Sequence, residues 1–218
     1  MTYHHGNLKQ ALLDRAAEVI ADKGIEALSL RGLARDVGVS HAAPARHFRD
    51  KKALLSALAT EGYLRFSAYM TAAAEKAGSD PVARYNAMGR SVIRFALTHP
   101  AYYTTFNHPD VTQQADAELL KSHSEYMEIV MMAAAEAQAA GWHPDIDPLV
   151  LMAFSSAAAT GAANMVTNKR GSDIFEGRDM EKLAAEIINL VVPPSSELCS
   201  DSARQAPKHH GGDTKWNS

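Results

Sequence analysis

Cysteine occurs once in the chain, at Cys199, so no internal disulfide can form and no thiolate metal cluster can be built within one chain. Strand signals are missing too, with neither alternating apolar runs nor Asn-Gly hairpin turns. No apolar run approaches the roughly 20 residues of a membrane-spanning helix. The start, MTYHHGNLKQ, has neither a basic leader nor an apolar one behind it. We therefore expect a cytoplasmic, all-α protein with no membrane partner. Chemistry is equally sparse: no nucleophile motif, glycine-rich phosphate loop or acid pair stands out. The pairs His4-His5 and His209-His210 are sequence neighbours, which cannot chelate from one helical face as residues four apart do. Neither an enzyme, a metal site nor a cofactor is expected.

What the chain does have is apolar residues, 46% of 218, enough for a substantial core. Its charge is unevenly spread. Residues 1–52 hold 9 Lys and Arg against 6 Asp and Glu, whereas the remainder holds 13 against 19. A basic first quarter on an acidic body points to one end meeting a polyanion.

The periodicity is helical throughout. Leu8, Leu12, Ala16, Val19 and Ile20 recur at three- and four-residue steps, predicting a helix over 8–23 that Gly24 stops. Ser29 can cap a second, short helix, with Leu30, Leu33, Ala34 and Val37 on one face and Gly38 at its end. Ser40 to His47 predicts a third, although Pro44 has no N–H to give to its first turn. Asp50 caps a fourth that runs from Lys51 towards Ala77. Asp80 with Pro81 starts a helix over 81–98, and a loop containing Pro100, Asn107 and Pro109 precedes helices over 112–140, 148–169 and 180–192. These elements predict three units: a head, 1–52; a helical body, 53–192; and a structureless tail, 193–218, rich in Pro, Ser and Gly.

Two short helices joined by Gly38-Val39-Ser40 match a helix-turn-helix, whose second helix enters the DNA major groove. Small side chains at Ala42 and Ala43 let that segment approach the bases, and His41 can offer a ring nitrogen to a base edge. Arg46, His47, Arg49, Lys51 and Lys52 form a basic cluster suited to phosphates.

IEALSLRGLARDVGVS followed by GVSHAAPARHFRDKKALLSAL resembles the DNA-binding domain of the TetR/AcrR family of transcriptional regulators. The likeness covers about 50 residues, including the Gly-Val-Ser turn, Phe48, Lys51 and Leu54-Leu55. FALTHPAYYTTF resembles the family's ligand-domain entry. The latter half is similar to the WHG-type subgroup, of whose expected residues Gly161 is present, while the Trp and His near Phe154 and Ala159 are not. The resemblance implies an N-terminal three-helix helix-turn-helix domain, a larger helical ligand-binding and dimerisation domain, and a homodimer on a pseudo-palindromic operator of double-stranded DNA. It implies that Ser29, His47 and Lys51 contact phosphate and that His41, Ala42, Ala43 and Arg46 face the groove beside the capping Ser40. Ala45 departs from the family, which most often has Tyr there. The missing hydrogen bond is worth about 0.5–1.5 kcal/mol per half-site.

In the body, aromatic and Met side chains at helical spacing mark the core and can also line an apolar pocket. Phe95, Tyr102, Phe106, Tyr126 and Phe154 are the candidate ligand contacts, for a small apolar or aromatic effector. The helix over 148–169 is too apolar to be exposed and, with 180–192, predicts a four-helix interface between two copies, where Ala157, Ala158, Gly161 and Ala162 permit close approach. The resulting expectation is a ligand-released repressor. The alternative is a helical small-molecule-binding protein whose DNA head is vestigial.

Overall fold

The computed structural model describes residues 8–167 and 176–193. His4-His5, His209-His210, Cys199 and nearly all of the expected tail lie outside those residues, as do 168 and 169 of the expected interface helix. Nine α-helices are present among the described residues: α1 (Leu8–Lys23), α2 (Leu30–Asp36), α3 (Lys51–Lys76), α4 (Pro81–Thr98), α5 (Pro100–Phe106), α6 (Pro109–Thr112), α7 (Ala117–Ala139), α8 (Pro148–Thr167) and α9 (Met180–Val191). No strand occurs among the described residues, as expected.

Local chemistry sets the ends of these helices. Ser29 accepts from Gly32 N at 3.1 Å, Asp50 from Ala53 N at 2.8 Å and Asp80 from Val82 N at 3.1 Å, so each cap satisfies an N–H that its helix leaves free. After α2, Gly38 takes a left-handed φ of 74° and Val39 N returns to Ala34 O at 2.9 Å. Glycine stops the helix there because a side chain would be strained in that conformation.

Four expectations need correction. The third helix, Ser40 to His47, is a turn followed by a single 3-10 turn, Pro44–Arg46. Without an N–H, Pro44 cannot extend an α-helical ladder; its carbonyl instead receives His47 N and Phe48 N, both at 2.9 Å. The expected loop at 100–109 contains α5 and α6, because Pro100 and Pro109 each begin a helix, where a missing N–H costs nothing. The helix expected over 112–140 begins at Ala117, capped by Asp116, which accepts from Leu119 N at 2.9 Å. Lastly, α8 is long and apolar enough to cross a membrane by length and composition, with a mean hydropathy of 1.5 in its most apolar window. It packs against α4, α7 and α9.

In the head, Leu12, Ala16, Ile20, Ile25, Leu28, Leu33, Phe48 and Leu54 are buried together. Arg15 ties α1 to α2 through Asp36 at 3.0 Å. Helix α3 runs unbroken across the boundary expected at residue 52. Its first turns pack in the head and its later turns against α4, α5 and α7. Trp142 is fully buried in the body and donates from Nε1 to Val191 O at 3.2 Å, locking the α7–α8 connection to α9.

Candidate nucleic-acid interface and body cavity

The 3-10 turn sorts the recognition segment into two faces. Pro44 and Phe48 point inward and are buried, and Ser40, His41, Ala42, Ala45, Arg46 and His47 are exposed between and around them. Pro44 thus plugs the head's core at a position where its missing N–H breaks no helix. Ala43 and Lys51 are half-buried, and Ser29 is exposed at the start of α2. All eight sequence-predicted DNA contacts therefore lie on one stretch of the head, between the start of α2 and the start of α3.

Arg49 forms an ion pair with Asp50 at 3.2 Å. Hydrogen bonding from Ala53 N, aided by the nearby guanidinium, holds the Asp50 carboxyl below its usual range. Arg46, His47, Lys51 and Lys52 form no ion pair among the described residues. A basic row without internal partners beside an apolar, low-relief Ala42–Ala43 step can hold phosphates and bring the backbone close to base edges.

Helix α1 connects this face to the body. Gln10 Nε2 donates to Glu61 Oε2 at 3.2 Å; Arg65 Nε and Tyr102 Oη donate to Glu61 Oε1 at 2.7 Å and 3.1 Å. The Arg65 guanidinium lies 4.9 Å from the Tyr102 ring centroid. Burial, and after it the Glu61 carboxylate, pushes the Tyr102 phenol up to about 12. Tyr102, a predicted ligand contact, thus sits at the head–body junction.

Of the other four predicted contacts, three gather around one ring and the fourth does not. Phe95 and Phe106 are buried in a ring cluster with Phe66, whose centroid lies 4.9 Å and 5.6 Å from theirs. Tyr126 stacks on Phe66 at 5.4 Å and also lines a small cavity of about 30 Å³ in the body. Phe154 is 60% exposed on the outer side of α8 and lines nothing internal. Residues outside those five complete the cavity: Met70, Met88, Val92 and Ile188 supply apolar walls, and Tyr85, one of the aromatic side chains expected to line a pocket, bonds Ser155 across it, Oη to Oγ, at 2.6 Å. Burial raises the Tyr85 phenol, partly offset by that bond. The available signal was Ser155, a hydroxyl inside the most apolar helix. His99, His108 and His123 form no metal-binding group, and none occurs among the described residues.

A family model of bacterial regulatory proteins, tetR family, matches residues 12–58, and a model of the tetracyclin repressor-like C-terminal domain matches residues 85–191. No curated protein matches. Among solved structures, a Rhodococcus sp. RHA1 protein of unknown function is 32% identical, with a TM-score of 0.75 over 88% of this chain and 96% of that one. The fatty acid degradation regulator FadR from Bacillus halodurans is 15% identical (TM-score 0.69, 88% and 97% covered). AibR, solved with isovaleryl coenzyme A and operator DNA, is 20% identical (TM-score 0.66, 85% and 98% covered). The last two likenesses are of fold.

Proposed function

The chain belongs to the tetR family of bacterial regulatory proteins, and from that premise we propose that it is a cytoplasmic repressor that binds a pseudo-palindromic operator as a homodimer and is released by a small apolar or aromatic effector. The observation that carries the reading is the basic row of exposed Arg46, His47 and Lys52 with half-buried Lys51, which has no ion-pair partner among the described residues. Ser29, His47 and Lys51 take phosphates, and His41, Ala42, Ala43 and Arg46 meet the groove.

The dimer forms through α8 and α9. Leu149, Val150, Phe154 and Met165 make an exposed apolar stripe on α8, and Leu190 on α9 is 88% exposed. A second copy covers that surface and sets the two heads about 34 Å apart, one turn of DNA. The effector enters the body cavity. At about 30 Å³ the cavity has room for about one water, so an effector has to part α4 from α8 and α9. Movement of α4 and α5 reaches α1 through Tyr102, Glu61 and Gln10, and an effector that favours a different head spacing releases DNA by population shift. AibR's isovaleryl coenzyme A makes a short branched acyl group a first candidate.

Selection from random duplex DNA tests the reading, the expected product being a palindrome with half-sites about one turn apart. Ala45, exposed and without a hydroxyl, favours one alternative, a small-molecule-binding protein with a vestigial head. That protein retains no sequence at any salt, whereas a regulator binds and loses affinity steeply as salt rises.

A further inference from the structure

Between head and body lies a cleft of about 280 Å³, lined by other residues than the body cavity. Its walls are the Ile25–Ala27 turn of the head, the first turns of α3, and α6 with its flanking residues. The floor is apolar: Ile25, Leu55 and Val111 are all buried. The rim carries both signs of charge, with Lys51 and Lys52 from α3, Glu26 from the head turn and Asp110 from α6. None of these four has an ion-pair partner among the described residues, although Lys121 and Lys182 on the body each approach a glutamate four residues on, at 3.7 Å and 3.9 Å.

Ser56 adds a separate observation. It lines the same cleft, is 6% exposed, and its hydroxyl has no hydrogen-bond partner. The hydroxyls of Ser91, Thr105, Ser122 and Ser155, buried on other helices, each donate to a carbonyl three or four residues back. A buried hydroxyl left without a partner is unfavourable, and Ser56 carries one at the wall of the cleft.

The geometry points to a second small-molecule site in this cleft, one that takes an apolar zwitterion of the amino-acid class. A lone carboxylate would meet Glu26 and Asp110 as well as the lysines, and a lone amine would meet the lysines as well as the acids. A zwitterion matches both signs, and its apolar side chain lies on Ile25, Leu55 and Val111. Discrimination against singly charged analogues follows, because each leaves one sign of charge unmatched. The volume limits the ligand to a single small molecule, below the usual range for drug-sized pockets.

Calorimetric titration of the intact protein with L-phenylalanine and L-leucine, beside 3-phenylpropanoate and phenethylamine, tests the site. The expected result is saturable binding of an amino acid, one molecule per chain, with both singly charged analogues weaker by about tenfold or more. Lys52→Gln and Asp110→Asn alter exposed side chains, and each should weaken amino-acid binding several-fold while leaving the circular dichroism unchanged. Absence of binding by both amino acids, equal binding by a singly charged analogue, or binding indifferent to both substitutions would overturn the proposal.

Discussion

In the body, Arg65 bonds Glu61, Arg84 lies 3.7 Å from Glu136, and Lys121 and Lys182 pair along their own helices. In the outward row of the head, Arg46, His47, Lys51 and Lys52 reach no carboxylate among the described residues. Apolar surface runs the other way. The head buries Pro44 and Phe48 and keeps its outer face polar or small, whereas α8 exposes Leu149, Val150, Phe154 and Met165. Exposed pairs add little stability, and what the body leaves over is an excess of Asp and Glu, such as Asp110, rather than a basic row. What each region offers a partner differs in kind: unpaired positive charge at the head, exposed hydrocarbon on α8 and α9 of the body. Each kind suits one partner, a polyanion or a second copy of the chain.

The largest effect should come from cutting into the body. Trp142 is fully buried, lies 5.1 Å from the Tyr85 ring and anchors Val191. Trp142→Ala should cost about 3–5 kcal/mol of unfolding free energy, read by urea denaturation. A loss below about 1 kcal/mol would mean that the body is not packed around this ring. Phe154→Glu tests the unmatched hydrocarbon instead. The side chain is exposed in one chain and buried in the proposed dimer, so the variant should fold normally. It should also dissociate, because two uncompensated carboxylates at a dry interface cost several kcal/mol. Sedimentation velocity decides, and an intact dimer would move the interface to another face.

At the head the expected losses are smaller. Arg46→Ala should cost about 1–3 kcal/mol of operator affinity per half-site and relax sequence preference locally. Lys51→Ala should weaken binding to all sequences alike and make the salt dependence shallower by about one phosphate per chain. Fluorescence anisotropy across a salt series separates the two. If Lys51→Ala lowered affinity for one sequence only, its assignment as a phosphate contact would fail.

Much of this division was legible in the sequence. Ser29, Asp50 and Asp80 announced three helix starts because a capping side chain acts within three residues of its own position. The basic row was readable for the same local reason. Proline misled twice, in opposite senses. Pro44 falls inside an α-helical pattern that it cannot join, and Pro100 and Pro109 read as loop markers although each opens a helix. The residues of the body cavity were harder to see. Tyr85 and Ser155 are 70 positions apart, and nothing local pairs them. In α8, apolar almost all round, periodicity cannot say which face turns inward, and Phe154 reads as a pocket residue for that reason. Its exposure reverses the assignment.

The smallest expected change is a gain, and it bears on whether the head's unmatched charge is sufficient for tight binding. Ala45 is exposed between the inward Pro44 and Phe48, at the position where related regulators most often place a phosphate-binding Tyr. Ala45→Tyr adds one phenol per half-site without entering the core. A hydrogen bond to phosphate should contribute about 0.5–1.5 kcal/mol at each, so a dimer gains roughly ten- to a hundredfold in affinity. The gain should appear on random duplex as well as on the operator, since a phosphate carries no sequence. Tightening on both would show that the native head is tuned weak at this position and that its basic row already places the phosphate within reach. No gain on either would mean that residue 45 does not face the backbone, and the DNA then approaches the row from the His41–Ala42 side alone.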